Sequence, residues 1–136
     1  MNTTVKPATP RRRKFAAAAG TPPGSLGVAV HTTLQGAVVT LKGYLDLSTT
    51  PTLDAACRGV LDFSRNQQVA ADLTLLSFCD GAGVSTLMRF HRQAQETDGW
   101  LRLCAPKPTL RRILGIADPA KTLRCYSSPV EAFADV

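Results

Sequence analysis

The residues best placed to carry chemistry form the short stretch Asp80-Gly81-Ala82-Gly83, which lies between an apolar run of strand length and an amphipathic pattern typical of a helix. Asp is a preferred N-cap because its carboxylate accepts hydrogen bonds from the free N–H groups of the first helical turn. Small residues behind the cap leave the helix tip bare, which suits an anion or a closely docking partner. The same residues would also form a flexible strand-to-helix turn without a functional role. A lone Gly-x-Gly is a weak signal and does not distinguish between these two interpretations.

Residues for catalysis or metal binding do not form a pattern in this sequence. Ser85, near Asp80 in the sequence, is a candidate nucleophile, but no recognisable base and oxyanion arrangement accompanies it. His31 and His91 are far apart, and neither has metal-ligand spacing to a cysteine or an acid. No Cys-x-x-Cys pair exists, so we expect buried free thiols in a reducing cytosol. We therefore predict a protein without catalytic residues, metal or cofactor. The four cysteines are Cys57, Cys79, Cys104 and Cys125.

Charge is distributed unevenly along the 136 residues. Residues 1–24 carry five basic side chains and no acid, whereas the rest carries 11 basic and 10 acidic side chains. We predict a disordered basic tail over 1–24 and one folded, nearly neutral domain over 25–136. A neutral domain argues against a specific nucleic-acid face, although the tail alone could touch anionic lipid or nucleic acid.

No stretch approaches the roughly 20 apolar residues of a membrane span, and the apolar run after Arg13 is too short for export, so we expect a cytoplasmic protein.

Strand and helix patterns alternate through the domain and would position the Asp80 turn between a central strand and a helix. This order predicts an α/β fold, with a mostly parallel central sheet of about five strands covered by about four helices. The expected strands are 26–34, 37–44, 69–75, 100–104 and 123–126, and the expected helices are 50–63, 81–97, 109–116 and a last one from Pro129.

Three pieces in this order resemble the STAS family (sulphate transporter and anti-sigma factor antagonist domains). Gly43-Tyr44-Leu45-Asp46 is similar to the family's Gly-x-Leu-Asp at the end of its second strand. Residues 69–83 resemble its apolar strand, Asp-Leu pair and Phe-x-Asp-Ser-Ser/Thr-Gly turn. Residues 106–115 resemble its helix after the fourth strand. The resemblance runs from about Leu26 to the C-terminus and implies a single STAS-like domain.

This resemblance implies a bacterial signalling protein without catalysis of its own. In the family, the unphosphorylated domain binds an anti-sigma factor, usually one that is also a serine kinase, and so frees the sigma factor for transcription. The kinase reverses this by phosphorylating a Ser or Thr in the turn. The partner-binding residues that the resemblance implies here are Asp46, Ser48, Asp80, Gly81, Ala82, Gly83 and Ser85.

This sequence departs from the family pattern at the phosphoacceptor. Ala82 occupies that position and has no oxygen to modify. A phosphate there would add about −1.5 to −2 charges beside Asp80, which would disrupt a close interface. We therefore expect an antagonist that binds constitutively, or one regulated at another site. The other candidate acceptors are Ser77, Ser85 and Thr86.

Other roles within the family remain open at this point. A STAS subunit of a lipid or solute ABC transporter, docking an ATPase, is the main alternative, and a signalling scaffold is another. A homodimer is possible, because family members bind as monomers or dimers and the composition does not choose between them.

Overall fold

The computed structural model describes residues 24–63 and 67–135, so the predicted tail lies outside the described residues except for Gly24. Within this part of the chain, five strands form one sheet in sequence order: β1 (Leu26–Thr32), β2 (Ala37–Leu45), β3 (Gln68–Cys79), β4 (Trp100–Cys104) and β5 (Cys125–Tyr126). The helices of the same part are α1 (Thr50–Phe63), α2 (Gly81–Gln95), α3 (Pro108–Ala117) and α4 (Pro129–Ala134).

The sheet is mostly parallel, as predicted. β1 pairs antiparallel with β2 through a short turn, and the β2–β3, β3–β4 and β4–β5 pairs are parallel. Each parallel pair is joined by a helical crossover, as parallel strands require. The predicted α/β class, with a single sheet of five strands and four helices, is confirmed for the described residues.

The main core lies between one face of the sheet and helices α1, α2 and α3. Alternate β3 residues Val69, Ala71 and Leu73 belong to it, together with apolar side chains of these helices such as Leu53 and Phe90. Alternation along the strand sends the remaining side chains to the second face. There α4 covers Ala70 and Cys104 with the buried Ala132.

The central strand is longer than the sequence indicated. We expected a strand over 69–75, but β3 continues to Cys79 and pairs with the last residues of β2. The pairing register shifts between Thr40 and Lys42 and again between Gly43 and Tyr44. These irregularities move buried positions out of strict alternation, so Leu76 and Cys79 are buried while Leu75 and Phe78 are exposed. The last strand is shorter than predicted, because only Cys125–Tyr126 pairs with β4.

The four cysteines are free, and all but the partly buried Cys125 are fully buried. Burial raises the pKa of Cys57, Cys79 and Cys104 to about 12, and it also raises the pKa of Cys125. Such thiols stay protonated and unreactive at neutral pH.

None of the helices in the described residues is long and apolar enough to cross a membrane.

Candidate functional site

The ends of β2 and β3 bring two loops together at one edge of the sheet. Leu45 pairs with Cys79, and the Asp80 N–H donates to the Leu45 carbonyl oxygen at 3.2 Å. Because neighbouring parallel strands end at the same edge, the loop that follows β2 lies beside the first turn of α2. We call this region, Asp46–Ser48 together with Asp80–Ala82, the carboxyl-edge site.

Asp80 caps α2, as the sequence predicted. Its backbone is extended, and its Oδ1 accepts a hydrogen bond from the Gly83 N–H at 2.9 Å. Gly81 is exposed, and a Cβ placed on it would meet no atom within 4 Å. Ala82 is partly exposed beside it. The first turn of α2 therefore presents small residues and polar backbone to the surroundings, with one N–H already occupied by Asp80.

Gly83 is buried beneath the carboxyl-edge site. It is buried, and a Cβ on it would lie 2.7 Å from Cys79 Sγ and 2.8 Å from the Leu45 carbonyl oxygen. A real Cβ does not approach other atoms so closely. Only a glycine lets the helix start sit against the end of β2, so this residue supports the site from below.

The Asp46 loop is held by hydrogen bonds between its own residues. Asp46 Oδ1 accepts from the Ser48 N–H at 2.9 Å and from the Ser48 hydroxyl at 2.7 Å. The buried Thr49 hydroxyl donates to the Tyr44 carbonyl at 2.8 Å and accepts from the Asp46 N–H at 2.9 Å. The hydroxyl of Ser48 lowers the pKa of Asp46; desolvation opposes this shift and the loop N–H groups add to it. Asp46 is thus a charged carboxylate at neutral pH, in a turn with a defined conformation.

The three alternative phosphoacceptors lie in different environments. Thr86 is buried, and its hydroxyl donates to the Ala82 carbonyl at 3.0 Å, so a kinase cannot reach it without opening the helix. Ser85 is exposed on α2, one helical turn from Gly81. Ser77 is exposed on β3. The structure thus leaves Ser77 and Ser85 as accessible hydroxyl groups near the site.

Exposed apolar side chains adjoin the carboxyl-edge site, and they are not among the site residues predicted from the sequence. Leu47, between Asp46 and Ser48, is 74% exposed, and Phe78 is 45% exposed. The Phe78 ring lies against Tyr44, with 6.3 Å between the ring centroids. The sequence feature that could have indicated Leu47 as a site residue is its position as a leucine within a polar turn. The exposure of Phe78 depends on the irregular β2–β3 register, which no local pattern reveals.

The groups at this site suit a contact with another protein. The site contains two carboxylates from separate loops, together with small residues and apolar side chains. Among the residues that the structure describes, no group of three or more His, Cys, Asp or Glu side chains is arranged to hold a metal ion. Exposed apolar side chains rimmed by polar groups are typical of surfaces that contact another protein.

Comparison with solved structures identifies similar folds. An anti-sigma factor antagonist from Mycobacterium paratuberculosis is 24% identical, with a TM-score of 0.72, and the match covers 86% of this chain and 98% of that one. An anti-sigma-factor antagonist (STAS) domain protein from Planctomyces limnophilus is 17% identical, with a TM-score of 0.68 and coverage of 79% and 95%. The anti-sigma factor antagonist SpoIIAA in its unphosphorylated form is 20% identical, with a TM-score of 0.66 and coverage of 77% and 91%.

These identities show a shared fold. The family itself is shown by the sequence, because a family model for the STAS domain matches residues 28–132. That range contains the whole sheet apart from the first residues of β1, three of the four helices complete and the start of α4, and it includes the carboxyl-edge site. The chain therefore belongs to the STAS domain family, as the three sequence pieces had indicated.

Proposed function

We propose that this protein is an anti-sigma factor antagonist that binds an anti-sigma factor of the serine kinase type through the carboxyl-edge site. The observation that carries the proposal is the bare first turn of α2 beside the ordered Asp46 loop. Small residues at Gly81 and Ala82 allow a partner's backbone to approach, and Leu47 and Phe78 supply apolar area around them. On this proposal the protein acts in the cytoplasm, in transcription regulation, and has no catalytic activity of its own.

The absence of a hydroxyl at Ala82 makes the binding constitutive in this proposal. SpoIIAA has been solved both unphosphorylated and phosphorylated, so a protein of this fold does accept a phosphate. Here Ala82 has no oxygen, and the Thr86 hydroxyl is buried against the Ala82 carbonyl. Of the three alternative acceptors that the sequence indicated, Ser85 and Ser77 then remain for regulation by phosphate. Phosphate mapping after treatment with the copurified kinase tests this, since a modified residue together with lost binding contradicts constitutive binding.

The proposal is tested by affinity purification from the native cytosol with the unmodified chain and two variants. Ala82→Asp places a carboxylate on the helix tip beside Asp80, which opposes docking by repulsion and by desolvation. Ala120→Asp adds the same group in the exposed loop before β5, at the opposite edge of the sheet. Both variants should remain folded, which thermal unfolding verifies.

The expected result is a kinase-like anti-sigma factor that copurifies with the unmodified chain and with Ala120→Asp, but not with Ala82→Asp. Capture of the same partner by all three chains would show that the carboxyl-edge site is not the contact surface. Capture of membrane ATPase subunits instead would favour the transporter alternative and contradict the anti-sigma assignment.

A further inference from the structure

An apolar patch lies on the second face of the sheet, next to the carboxyl-edge site. Leu45 at the end of β2 points into the main core, so alternation directs Tyr44 to the second face. Leu75 and Phe78 lie beside it on β3 and are 47% and 45% exposed, while α4 covers other residues of this face through Ala132. We call Tyr44, Leu75 and Phe78 the second-face patch. Two neighbouring rings and a leucine form a surface that an apolar side chain would cover favourably.

The chain enters the described domain directly beside this patch. The Ser25 carbonyl oxygen accepts the Tyr44 N–H at 2.9 Å, so residues 1–23 connect to the fold at this corner of the sheet. Neighbouring strands lie about 4.8 Å apart, and β2 lies between β1 and β3. Phe78 on β3 is therefore only about 10 Å across the sheet from Ser25.

The segment 1–23 contains one aromatic residue, Phe15, which four alanines follow. The basic run 11–14, Arg-Arg-Arg-Lys, comes directly before it. Nine positions separate Phe15 from Gly24, and nine residues span at most about 30 Å. The second-face patch and the carboxyl-edge site both lie within this distance.

Charge favours the same corner of the domain for this segment. Asp46 and Asp80 of the carboxyl-edge site are both partly exposed and attract a basic segment. Asp72 and Lys42 on the second face carry opposite charges, so together they change this attraction little. Residues 107–124 carry five basic side chains and one acid, and that side of the domain repels the segment.

We propose that the segment 1–23 docks on its own domain, with Phe15 on the second-face patch and the basic run 11–14 beside Asp46 and Asp80. Because the segment is covalently attached, docking loses less translational freedom than the binding of a separate molecule. The docked segment covers Phe78 and lies next to the tip of α2, so it competes with a partner for the carboxyl-edge site. This competition rests on the proposed function, whereas the intramolecular contact does not.

The contact is tested on the full chain alone, by nuclear Overhauser effects between the Phe15 ring and the rings of the second-face patch. Phe15→Ser is the informative variant. Val5→Ser is the matched control, because it removes an apolar side chain from the same segment. A mixture of isotope-labelled and unlabelled chains separates contacts within one chain from contacts between two copies.

A second pair of variants tests the charges. One replaces the four residues of the basic run 11–14 with Gln. The other replaces four arginines at exposed positions of α1, α2 and α3 with Gln and so removes the same charge from the described domain. Thermal unfolding verifies that every variant remains folded. The four control positions are Arg58, Arg92, Arg111 and Arg112.

We expect Overhauser effects from Phe15 to Tyr44 and Phe78 within one chain. Phe15→Ser should abolish them and shift the amide signals of the patch, whereas Val5→Ser should preserve them. Loss of the basic run should weaken them, and the control arginine variant should not. The proposal is overturned if these effects are absent, or if they join two different chains, which would assign the patch to a second copy. Equal weakening by both arginine variants would refute the contact with Asp46 and Asp80.

Competition is measured separately, by titration of the purified anti-sigma factor. A segment docked in about nine molecules of ten lowers the apparent affinity for the partner about tenfold. Phe15→Ser should therefore raise the affinity by about that factor, and Val5→Ser should leave it unchanged. Equal affinity of the two variants would refute the competition. If no anti-sigma factor is captured, the proposed function fails, while the Overhauser effects still decide the intramolecular contact.

Discussion

Gly83 lies so close to the end of β2 that a Cβ on it would come within 2.8 Å of the Leu45 carbonyl oxygen. The same carbonyl oxygen accepts the Asp80 N–H at 3.2 Å. The hydrogen bond holds the start of α2 against the end of β2, and the missing side chain of Gly83 leaves room for this close approach. The neighbouring Asp46 loop and the small residues of the helix tip therefore form one surface.

Gly83→Ala should destabilise the fold, because the added methyl group must displace backbone and the buried Cys79 side chain. Overpacking of this kind costs about 1–3 kcal/mol. Gly81→Ala is the matched control: its added methyl group meets no atom within 4 Å, and a change within about 0.5 kcal/mol is expected. Urea unfolding followed by circular dichroism measures both, and equal stability of the two variants would contradict the close approach.

Removing the cap at Asp80 should weaken α2 at its first turn. Asp80→Ala leaves the Gly83 N–H without its acceptor and should lower the free energy of unfolding by about 0.5–2 kcal/mol. Asp80→Asn keeps a capping oxygen and should recover most of that loss. If the Asn variant were as unstable as the Ala variant, the contribution would come from the charge and not from the hydrogen bond.

The sequence predicted the parts of this fold that depend on neighbouring residues. The range of the helix Thr50–Phe63, the cap at Asp80 and the strand Trp100–Cys104 agree with the periodicity and capping patterns. These features are local, since each depends on side-chain spacing within one element.

Features that depend on contacts between residues far apart in the sequence could not be predicted from local patterns. The extension of β3 to Cys79 requires the end of β2 as its partner. Arg89 contacts the Asp54 carboxylate at 3.1 Å and links α2 to α1, although 35 positions separate the two residues. The exposure of Phe78 follows from the shifted β2–β3 register. At the candidate site, the sequence therefore indicated the turn residues but missed the apolar rim.

His91 should make the fold less stable in mild acid. It is 8% exposed, and its Nδ1 accepts the Leu101 N–H at 3.0 Å, so that nitrogen carries no proton in the folded state. Burial lowers the pKa of His91 from about 6.5; Asp118 opposes this shift and Arg102 adds to it. Below about pH 6.5 the unfolded chain binds a proton that the folded chain does not. The free energy of unfolding should therefore fall as the pH drops from 7 toward the lowered pKa, and level off below it.

Denaturant unfolding at a series of pH values checks this expectation. His91→Gln should flatten the profile between neutral pH and pH 5 relative to the unmodified chain. A decline that is equally steep in the unmodified chain and in the variant would assign the pH dependence to other groups.

Arg102 should hold α4 on the second face of the sheet. Its Nη1 donates to the carbonyl oxygens of Ala132 at 2.6 Å and Asp135 at 2.5 Å, and its guanidinium carbon lies 3.8 Å from the Trp100 ring centroid. Arg102→Ala removes these contacts and should cost about 1–2 kcal/mol, with faster amide hydrogen exchange throughout α4. Arg92→Ala, at an exposed position of α2, is the control and should leave exchange in α4 unchanged.

Leu47 should contribute to partner binding without contributing to stability. It is 74% exposed in the Asp46 loop, so Leu47→Ser should change the free energy of unfolding by less than about 0.5 kcal/mol. If the carboxyl-edge site contacts an anti-sigma factor, burial of this side chain favours the complex by about 1.5–3 kcal/mol, and its loss should weaken binding roughly tenfold to a hundredfold. Leu34→Ser, at a leucine that is 93% exposed in the turn between β1 and β2, is the matched control. Titration of the purified partner with each variant measures the effect, and equal affinities for the two serine variants would remove Leu47 from the interface.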